Sequence, residues 1–274
     1  MRNLFLLLLA GLLSFGFTGD KTTITVKGSD TMVILAQKWA EVYMENHSDA
    51  AIQVTGGGSG TGIAALINGT TDVCNSSRPM KDKEKEQLKE KNGSTGIEIK
   101  VAKDGITIYV HKSNPLKEIS LEQLKDIFTG KVTNWKEIGG KDQKITAYGR
   151  ENSSGTYAYF KEEVLGNKDF SAGIQTLPGT AAVVNAVQND KTSIGYGGAA
   201  YTKGVKTLKV KKDASSPAIE PNKASIMSGT YPISRYLYIY LKEKPTGALK
   251  TYIDWILGKD GQKIAGEVGY FPLK

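Results

Sequence analysis

Residues 144–165, KITAYGRENSSGTYAYFKEEVL, contain the pattern that is most informative about the fold class. KITAY alternates apolar and polar side chains and predicts a strand, whereas TYAYFKEEVL predicts a helix. Between these segments, Arg150 is followed four residues later by Ser154-Gly155-Thr156. A strand that runs through a short polar turn into a helix is the repeating unit of α/β proteins. The stretch therefore predicts an α/β fold with a cation and several hydroxyl groups at the end of a strand.

Strand-like and helix-like segments alternate through most of the chain. Ser120 and Gln123 predict a capping box at the start of one helix, and Thr180 is expected to cap another. Residues 211–225, rich in serine and proline, predict a surface loop. The predicted strands include residues 22–27, 51–55, 97–102, 105–111, 144–148, 205–210 and 235–241, and the predicted helices include 31–46, 81–91, 121–130, 156–165, 181–190, 248–257 and 261–268.

The N-terminal segment differs from the rest of the chain. Of the 274 residues, 39% are hydrophobic and 23% are charged, which is typical of a folded soluble protein. LFLLLLAGLL, however, is too short to cross a membrane and has the length of a signal-peptide core. We expect residues 1–16 to be a cleaved export signal, with cleavage between residues 16 and 19, and a periplasmic or otherwise extracytoplasmic protein. The mature chain of about 255 residues can then form one large domain or two lobes.

Cysteine content and charge restrict the possible partners. The only cysteine, Cys74, excludes an internal disulfide, and we expect it to pack as a small hydrophobic side chain. The net charge of +8 comes from lysines spread along the chain, without a compact basic and aromatic module. We therefore expect mild attraction to anions and no nucleic-acid partner.

Three turns rich in serine, threonine and glycine precede predicted helices, at residues 28–31, 58–62 and 153–156. The first amides of a helix lack intrahelical partners and carry partial positive charge. Glycine lets an anion approach the backbone, and hydroxyl groups add donors. An ordinary N-cap explains any one turn, but three turns together with Arg150 predict an oxyanion site. The alternative for Arg150 is a surface salt bridge with Glu151 or another carboxylate.

A fourth polar stretch, DVCNSSRP at residues 72–79, predicts a short strand that ends in polar side chains. Asp72 is expected to cap or brace the neighbouring loops. Ser77 and Arg78 could reach the same ligand as the three turns.

Motifs of several other chemistries are absent or incomplete in the sequence. GSGTG is not followed by Lys-Ser or Lys-Thr, which excludes a P-loop, and it lies too far past its strand for a dinucleotide fingerprint. The chain has no G-x-S-x-G or S-x-x-K motif. His47 and His111 lie in no cluster typical of a metal site or a catalytic base. The sequence therefore favours binding without turnover, with no catalytic residue, metal or cofactor.

At this point the motifs resemble those of the PstS-type periplasmic phosphate-binding proteins of ABC phosphate importers. The resemblance covers essentially the whole mature chain and rests on GSDTM, GGGSGTGI, the D-x-x-N-S-S-R loop, IFTGKVTNW, RENSSGT, IGYGG and the terminal GYFPL. It implies an exported solute-binding protein that captures inorganic phosphate, HPO4²⁻, and delivers it to a membrane permease. We expect such a protein to be a monomer and not an enzyme.

The resemblance also implies a type II periplasmic-binding-protein fold, with two α/β lobes, a central cleft and two crossing hinge strands. The first lobe is then discontinuous and comprises residues 21–105 and 236–274, and the second comprises residues 106–235. The crossings are expected near residues 104–108 and 231–236.

The site residues that the resemblance carries over are Ser29, Asp30, Thr31, Ser59, Ser77, Arg150, Ser154, Gly155 and Thr156. Longer family members place an aspartate, which accepts the phosphate proton, where Ser77 stands. Asp30 could supply that acceptor here, unless it only caps its helix. Longer members also keep an aspartate near the arginine, where this chain has Glu151-Asn152, so the acid that braces Arg150 is open.

Three other functions are compatible with the sequence. A closely related one is the binding of another oxyanion, such as sulfate or molybdate. The others are an exported phosphatase or phosphotransfer enzyme, and a ligand-sensing or adhesive surface protein.

Overall fold

The computed structural model describes residues 21–273, so the predicted signal peptide lies outside the described residues. Strands and helices alternate along this range, and the predicted α/β fold is confirmed. The strands are β1 (Thr22–Gly28), β2 (Ala50–Thr55), β3 (Val73–Ser76), β4 (Ile97–Val110), β5 (Glu118–Ser120), β6 (Thr146–Arg150), β7 (Gln175–Leu177), β8 (Ser193–Gly198), β9 (Lys206–Lys211) and β10 (Ser234–Leu241). The α-helices are α1 (Val33–Asn46), α2 (Ser59–Ile67), α3 (Asp82–Asn92), α4 (Leu121–Phe128), α5 (Gly155–Glu163), α6 (Gly179–Asn189), α7 (Lys223–Ser228), α8 (Gly247–Leu257) and α9 (Lys259–Val268). Between residues 21 and 273, no helix has the length and apolar character needed to cross a membrane.

The strands form a continuous path of neighbours in the order β2-β1-β3-β10-β4-β8-β6-β7, with β9 beside β4 and β5 beside β9. β1 is parallel to β2 and β3, whereas β10 is antiparallel to β3 and β4. Beyond β4, β6 is parallel to both β8 and β7. The loops that follow the parallel strands β1, β2 and β3 therefore open at one edge of the sheet, which is where α/β proteins bind ligands.

Two large hydrophobic cores lie on the two halves of this sheet. The first core is built from residues 24–102 and 237–270, and the second from residues 106–233. β4 contributes Ala102 to the first core and Ile106 to the second. The chain therefore passes from one core to the other within β4, and it returns along β10.

Two segments differ from the prediction. Residues 97–102 and 105–111 were expected to form separate strands, but β4 runs through both of them without a break. Its first part pairs with β10 and its second part with β8 and β9, so the backbone hydrogen bonds continue across the polar residues in between. The predicted surface loop at residues 211–225 ends in a short helix, α7, whose first turn is capped by Asn222.

Local predictions at Ser120 and Cys74 are confirmed. Ser120 Oγ accepts a hydrogen bond from Gln123 N at 3.1 Å, and Ser120 N donates to Gln123 Oε1 at 2.9 Å, which completes the capping box. Cys74 is fully buried and packs with Ile63 and Leu66 in a smaller hydrophobic cluster. Burial raises the pKa of the Cys74 thiol, so this side chain behaves as an apolar group.

Helix α2 packs closely against β1 at Gly62. A Cβ atom on Gly62 would lie 2.6 Å from Gly28 Cα and 2.6 Å from Lys27 O, and neither backbone atom can turn aside as a side chain can. We expect Gly62→Ala to lower the free energy of unfolding by about 1–3 kcal/mol, although alanine is the better helix former. Gly266→Ala in α9 is the matched control, because Pro272 Cγ, at 3.5 Å, is the nearest atom to the added Cβ.

The control should raise the free energy of unfolding by about 0.5–1 kcal/mol. Urea unfolding followed by circular dichroism measures both variants. Equal effects of the two substitutions would contradict the packing constraint between α2 and β1.

Candidate functional site

Four polar turns meet at the junction between the two cores. Three of them follow β1, β2 and β3, at residues 29–31, 56–59 and 77–79. The fourth, residues 151–154, follows β6 in the other half of the sheet and leads into α5. The crossing of β4 and β10 between the cores places the fourth turn opposite the other three.

Direct contacts join the turns of the two halves. Thr31 Oγ1 and Thr156 Oγ1 are 2.8 Å apart, and Gly60 N donates to Ser153 O at 2.8 Å. Both threonines are buried. The hydroxyl groups of the two halves therefore belong to one buried polar cluster.

Ser59, Ser77 and Gly155 form a second part of this cluster. Ser77 N donates to Ser59 Oγ at 3.0 Å, and the two hydroxyl oxygens are 3.3 Å apart. A Cβ atom on Gly155 would lie 2.2 Å from Ser59 Oγ. Glycine at this position thus allows the first turn of α5 to lie directly against the hydroxyl groups of the opposite half.

Two further serines hold the turns in place. Ser154 is the N-cap of α5, and its hydroxyl oxygen accepts from the amides of Thr156 at 3.2 Å and Tyr157 at 3.3 Å. Since these bonds use only the oxygen, the hydroxyl hydrogen of Ser154 remains a donor. Ser29 is buried, and its amide donates to Asn75 O at 2.8 Å, which ties the first turn to β3.

Arg150 links the two halves by an ion pair. Its Nη2 lies 2.8 Å from Asp30 Oδ2 in the opposite half and 2.9 Å from Glu151 Oε1. Its Nη1 donates to Thr180 Oγ1 at 2.9 Å. The side chain is only 1% exposed, so the interpretation of Arg150 as a surface salt bridge is wrong, although Glu151 is one of its partners. Two acids brace this arginine, one from each half of the molecule.

Asp30 connects the first turn to the glycine loop after β2. Its Oδ1 accepts from Gly57 N at 2.8 Å, while its Oδ2 accepts from Arg150. Ser29 is the N-cap of the short 3-10 helix that Asp30 begins, and Met32 is the N-cap of α1, so the alternative that Asp30 only caps its helix is wrong. Tyrosine hydroxyls hold the backbone of this turn, since Tyr201 donates to Asp30 O at 2.8 Å and Tyr270 donates to the carbonyl of the next residue.

The charged groups at the junction carry no net positive charge. Two guanidinium groups face three carboxylates, which together amount to one formal negative charge. These groups belong to Arg150, Arg235, Asp30, Asp104 and Glu151. Burial raises the pKa of the Asp104 carboxyl, although Arg235 opposes this shift. An anion at the junction would therefore be held largely by hydroxyl groups, by backbone amides and by the directed N–H groups of the guanidiniums.

The structure places all of the predicted site residues at this junction. They are Ser29, Asp30, Thr31, Ser59, Ser77, Arg150, Ser154, Gly155 and Thr156. The group includes residues from both halves of the sheet, and all three of the predicted turns are represented.

The sequence also suggested roles for Thr180, Arg78 and Asp72, and the structure tests each of these roles. Thr180 does not cap α6, because the helix begins at Gly179 and the Thr180 hydroxyl accepts from Arg150 instead. Arg78 does not point toward the cluster but pairs with Glu84 at 2.6 Å. Asp72 braces the loops as predicted, since its Oδ2 accepts from the amide and the hydroxyl of Thr25 at 2.8 and 2.7 Å.

Arg235 and Asp104, which were not among the predicted site residues, form a second ion pair beside the cluster. Arg235 Nη2 lies 2.9 Å from Asp104 Oδ2, and both residues are buried. A weak signal was available, because Arg235 begins the apolar segment RYLYIYL and Asp104 lies between the predicted strands IEIKVA and GITIYVH. Burial of a charge in a strand indicates a paired or functional group.

Several known proteins with similar sequences are named as phosphate-binding proteins. A family model described as PBP superfamily domain matches residues 16–260. The phosphate-binding protein PstS of Pseudomonas aeruginosa is 34% identical over 94% of this chain and 84% of its own length. The PstS of Staphylococcus epidermidis is 37% identical over 93% of this chain and 81% of its own.

Solved structures are similar over almost the whole chain. A substrate-binding protein from Clostridium perfringens, solved with bound phosphate, has a TM-score of 0.85 and 31% identity and covers 92% of this chain and 100% of its own. An ABC-type phosphate transport receptor from Vibrio cholerae has a TM-score of 0.73 and 27% identity, over 90% of this chain and 99% of its own. The resemblance and the type II fold inferred from the motifs are confirmed.

Glu151 makes the stability of the junction depend on pH. Burial would raise the pKa of its carboxyl, but hydrogen bonds and charge from Arg150 outweigh burial, and the pKa is lowered. Such a group stabilises the fold above its unfolded pKa of about 4.3, and the contribution is lost as the pH falls through the folded value. We expect Glu151→Gln to flatten the fall of the melting temperature between about pH 5 and pH 3.

The matched control is Glu90→Gln, at an exposed position of α3. Its melting temperature should follow the wild-type dependence on pH. A Glu151→Gln curve that runs parallel to the wild-type curve would show that the contact with Arg150 does not depress this pKa.

Proposed function

The chain belongs to the PBP superfamily, among its phosphate-binding PstS proteins, and we propose that it captures HPO4²⁻ between its two halves and delivers it to the membrane permease of an ABC importer. The main support for this proposal is that hydroxyl groups from both halves form one buried polar cluster beside Arg150. Thr31 and Ser59 belong to one half, and Ser154 and Thr156 to the other.

These donors fit a small oxyanion that has lost its water. Each hydroxyl offers one O–H donor, and the start of α5 adds the amide of Gly155. Arg150 Nη1 has a second N–H besides the one that it donates to Thr180. A buried anion is bound well only if such donors replace its hydration shell. We infer that the nine residues at the junction supply this replacement for the four oxygens of phosphate.

Lobe closure is the second part of the proposal. We propose that residues 21–105 and 236–274 form one lobe and residues 106–235 the other, with β4 and β10 as the hinge strands between them. This division follows the two hydrophobic cores. Because donors come from both lobes, phosphate would interact better with the closed arrangement than with an open one and would shift the population toward closure. The permease would then receive a closed, loaded protein.

Asp30 is our candidate for the group that distinguishes phosphate from sulfate. Each of its carboxylate oxygens already accepts one hydrogen bond, from Gly57 N and from Arg150 Nη2, and each retains a second lone pair. HPO4²⁻ can donate its proton to such an acceptor, whereas sulfate at neutral pH has no proton and would face an unpaired carboxylate. The hydroxyl of Ser77 is the alternative acceptor.

We further propose binding without turnover, in an extracytoplasmic monomer released from its signal peptide. Both histidines of the chain lie outside the cluster. His47 stacks on Tyr43, and His111 hydrogen-bonds to Ser113 at 2.8 Å. Neither imidazole is therefore placed to act as a general base on a bound phosphate ester.

Calorimetric titration of the purified mature protein tests the ligand. Phosphate and arsenate should bind and sulfate should not, because only the first two carry a proton near neutral pH. Arg150→Lys keeps the charge but loses the planar fork, and it should weaken phosphate binding by about tenfold or more. Sulfate or molybdate binding as tight as phosphate binding would overturn the assignment, and release of product from a chromogenic phosphate ester, beyond an Arg150→Lys control, would indicate an enzyme.

The selectivity of Asp30→Asn tests the proton acceptor. An amide oxygen accepts more weakly and the amide nitrogen can donate to sulfate, so this variant should lose discrimination between the two anions. The measured quantity is the ratio of the phosphate and sulfate dissociation constants, because loss of the contact with Arg150 can change both constants together. Ser77→Ala is the comparison variant. If Asp30→Asn still excludes sulfate and Ser77→Ala does not, the acceptor is Ser77.

A further inference from the structure

Arg235 occupies a central position between the two halves. It lies on β10 directly opposite Asp104 on β4, at the point where both strands pass between the cores. Its Nη2 and Nε lie 2.9 and 3.2 Å from Asp104 Oδ2. Asp104 is fully buried, and its other oxygen accepts from Ala199 N at 3.1 Å. The pair is therefore held in place by the register of the two strands.

The remaining N–H groups of Arg235 point toward the hydroxyl cluster. Nη2 donates to Thr156 Oγ1 at 3.0 Å, and it lies 3.5 Å from Thr31 Oγ1, at the outer limit of a hydrogen bond. Nη1 donates to Ser77 O at 2.9 Å. One guanidinium thus contacts turns from both halves, and each contact is with a residue of the proposed phosphate site.

These contacts decide what the threonine hydroxyls can do. A guanidinium can only donate, so Thr156 Oγ1 must accept from Arg235. Of the hydroxyl hydrogens of Thr156 and Thr31, one forms the bond between the two oxygens and the other is left for a further partner. A hydroxyl that accepts from a cation is also polarised into a stronger donor. Because Asp104 balances the charge of Arg235, the main effect of Arg235 on a bound anion is orientation of donors, with little added net charge.

We propose that Arg235 is a positioning residue for phosphate. It orients the hydrogen-bonded Thr156 and Thr31 hydroxyls so that the hydrogen not used between them is donated toward the oxyanion, and it couples the hinge strands to the loaded, closed arrangement. The inference rests on the proposed phosphate-binding function. A purely structural ion pair would explain the contact with Asp104, but not the three contacts with Thr31, Ser77 and Thr156. The aromatic ring of Tyr159, 5.5 Å from the guanidinium carbon, covers the pair from the second half.

A double-mutant cycle on phosphate affinity tests the proposal. Arg235→Lys keeps the charge beside Asp104 but cannot make all of the contacts of the fork, and it should weaken phosphate binding by about tenfold. Thr156→Val removes the hydroxyl through which Arg235 acts. If the proposal is right, the double variant binds phosphate about as weakly as Thr156→Val alone, because both changes remove the same oriented donor. Losses that multiply would overturn it.

Arg78→Lys is the matched control, since Arg78 is also a buried, paired arginine but contacts Glu84 and the carbonyl of Pro79. It should lower the melting temperature and leave the phosphate dissociation constant unchanged. If Arg235→Lys does not fold, the double variant Asp104→Asn with Arg235→Gln removes both buried charges together and takes its place. Folded protein, shown by circular dichroism, that binds phosphate as tightly as wild type would overturn the proposal.

Phosphate titration of the wild-type protein distinguishes failure of the proposed function from failure of the proposed role of Arg235. Failure of the wild-type protein to bind phosphate would overturn the proposed function, and this inference with it. Normal phosphate binding by wild type and by Arg235→Lys would overturn the role of Arg235 alone.

Discussion

The junction between the two halves depends on the buried ion pair of Arg150 and Asp30. A guanidinium that is almost fully buried must be paired, and one of its two acids lies across the junction at 2.8 Å. This contact joins the two halves at the junction where the hydroxyl oxygens of Thr31 and Thr156 are 2.8 Å apart. The same carboxylate holds the glycine loop through Gly57 N. The proposed ligand site is thus a consequence of how one charge is neutralised.

A second ion pair, between Arg235 and Asp104, has a different structural origin. The first pair joins the end of β6 to the turn after β1, whereas the second joins two strands whose register places the residues opposite each other. The two ion pairs reach the hydroxyl cluster from different strands and turns. In each pair, the acid belongs to the first proposed lobe and the arginine to the second. Charge neutralisation at both places leaves recognition to dipoles, which are directional and short-ranged. That division suits a protein that must close tightly on an ion and later release it.

The acidic balance of the junction also bears on selectivity. With three carboxylates against two guanidiniums, an added dianion is not attracted by net charge. Affinity must come from many directed hydrogen bonds made at once, and those bonds require that both halves are in place. A ligand that can also donate a proton satisfies one of the acids, which an unprotonated oxyanion cannot do. The arrangement therefore connects closure, affinity and the choice of oxyanion in the proposed function.

The pattern of side chains along the chain was enough to predict the α/β class, the polar turns that meet at the junction and the presence of Arg150 beside them. These features follow from local rules, namely side-chain periodicity, helix capping and the freedom of glycine. The partners of the charged side chains follow from the folded arrangement of distant segments. Arg235 and Asp104 are separated by 131 residues and meet through strand register, and Thr180 reaches Arg150 only because α6 packs beside β6. Such pairings depend on contacts between distant segments, so no local pattern contains them.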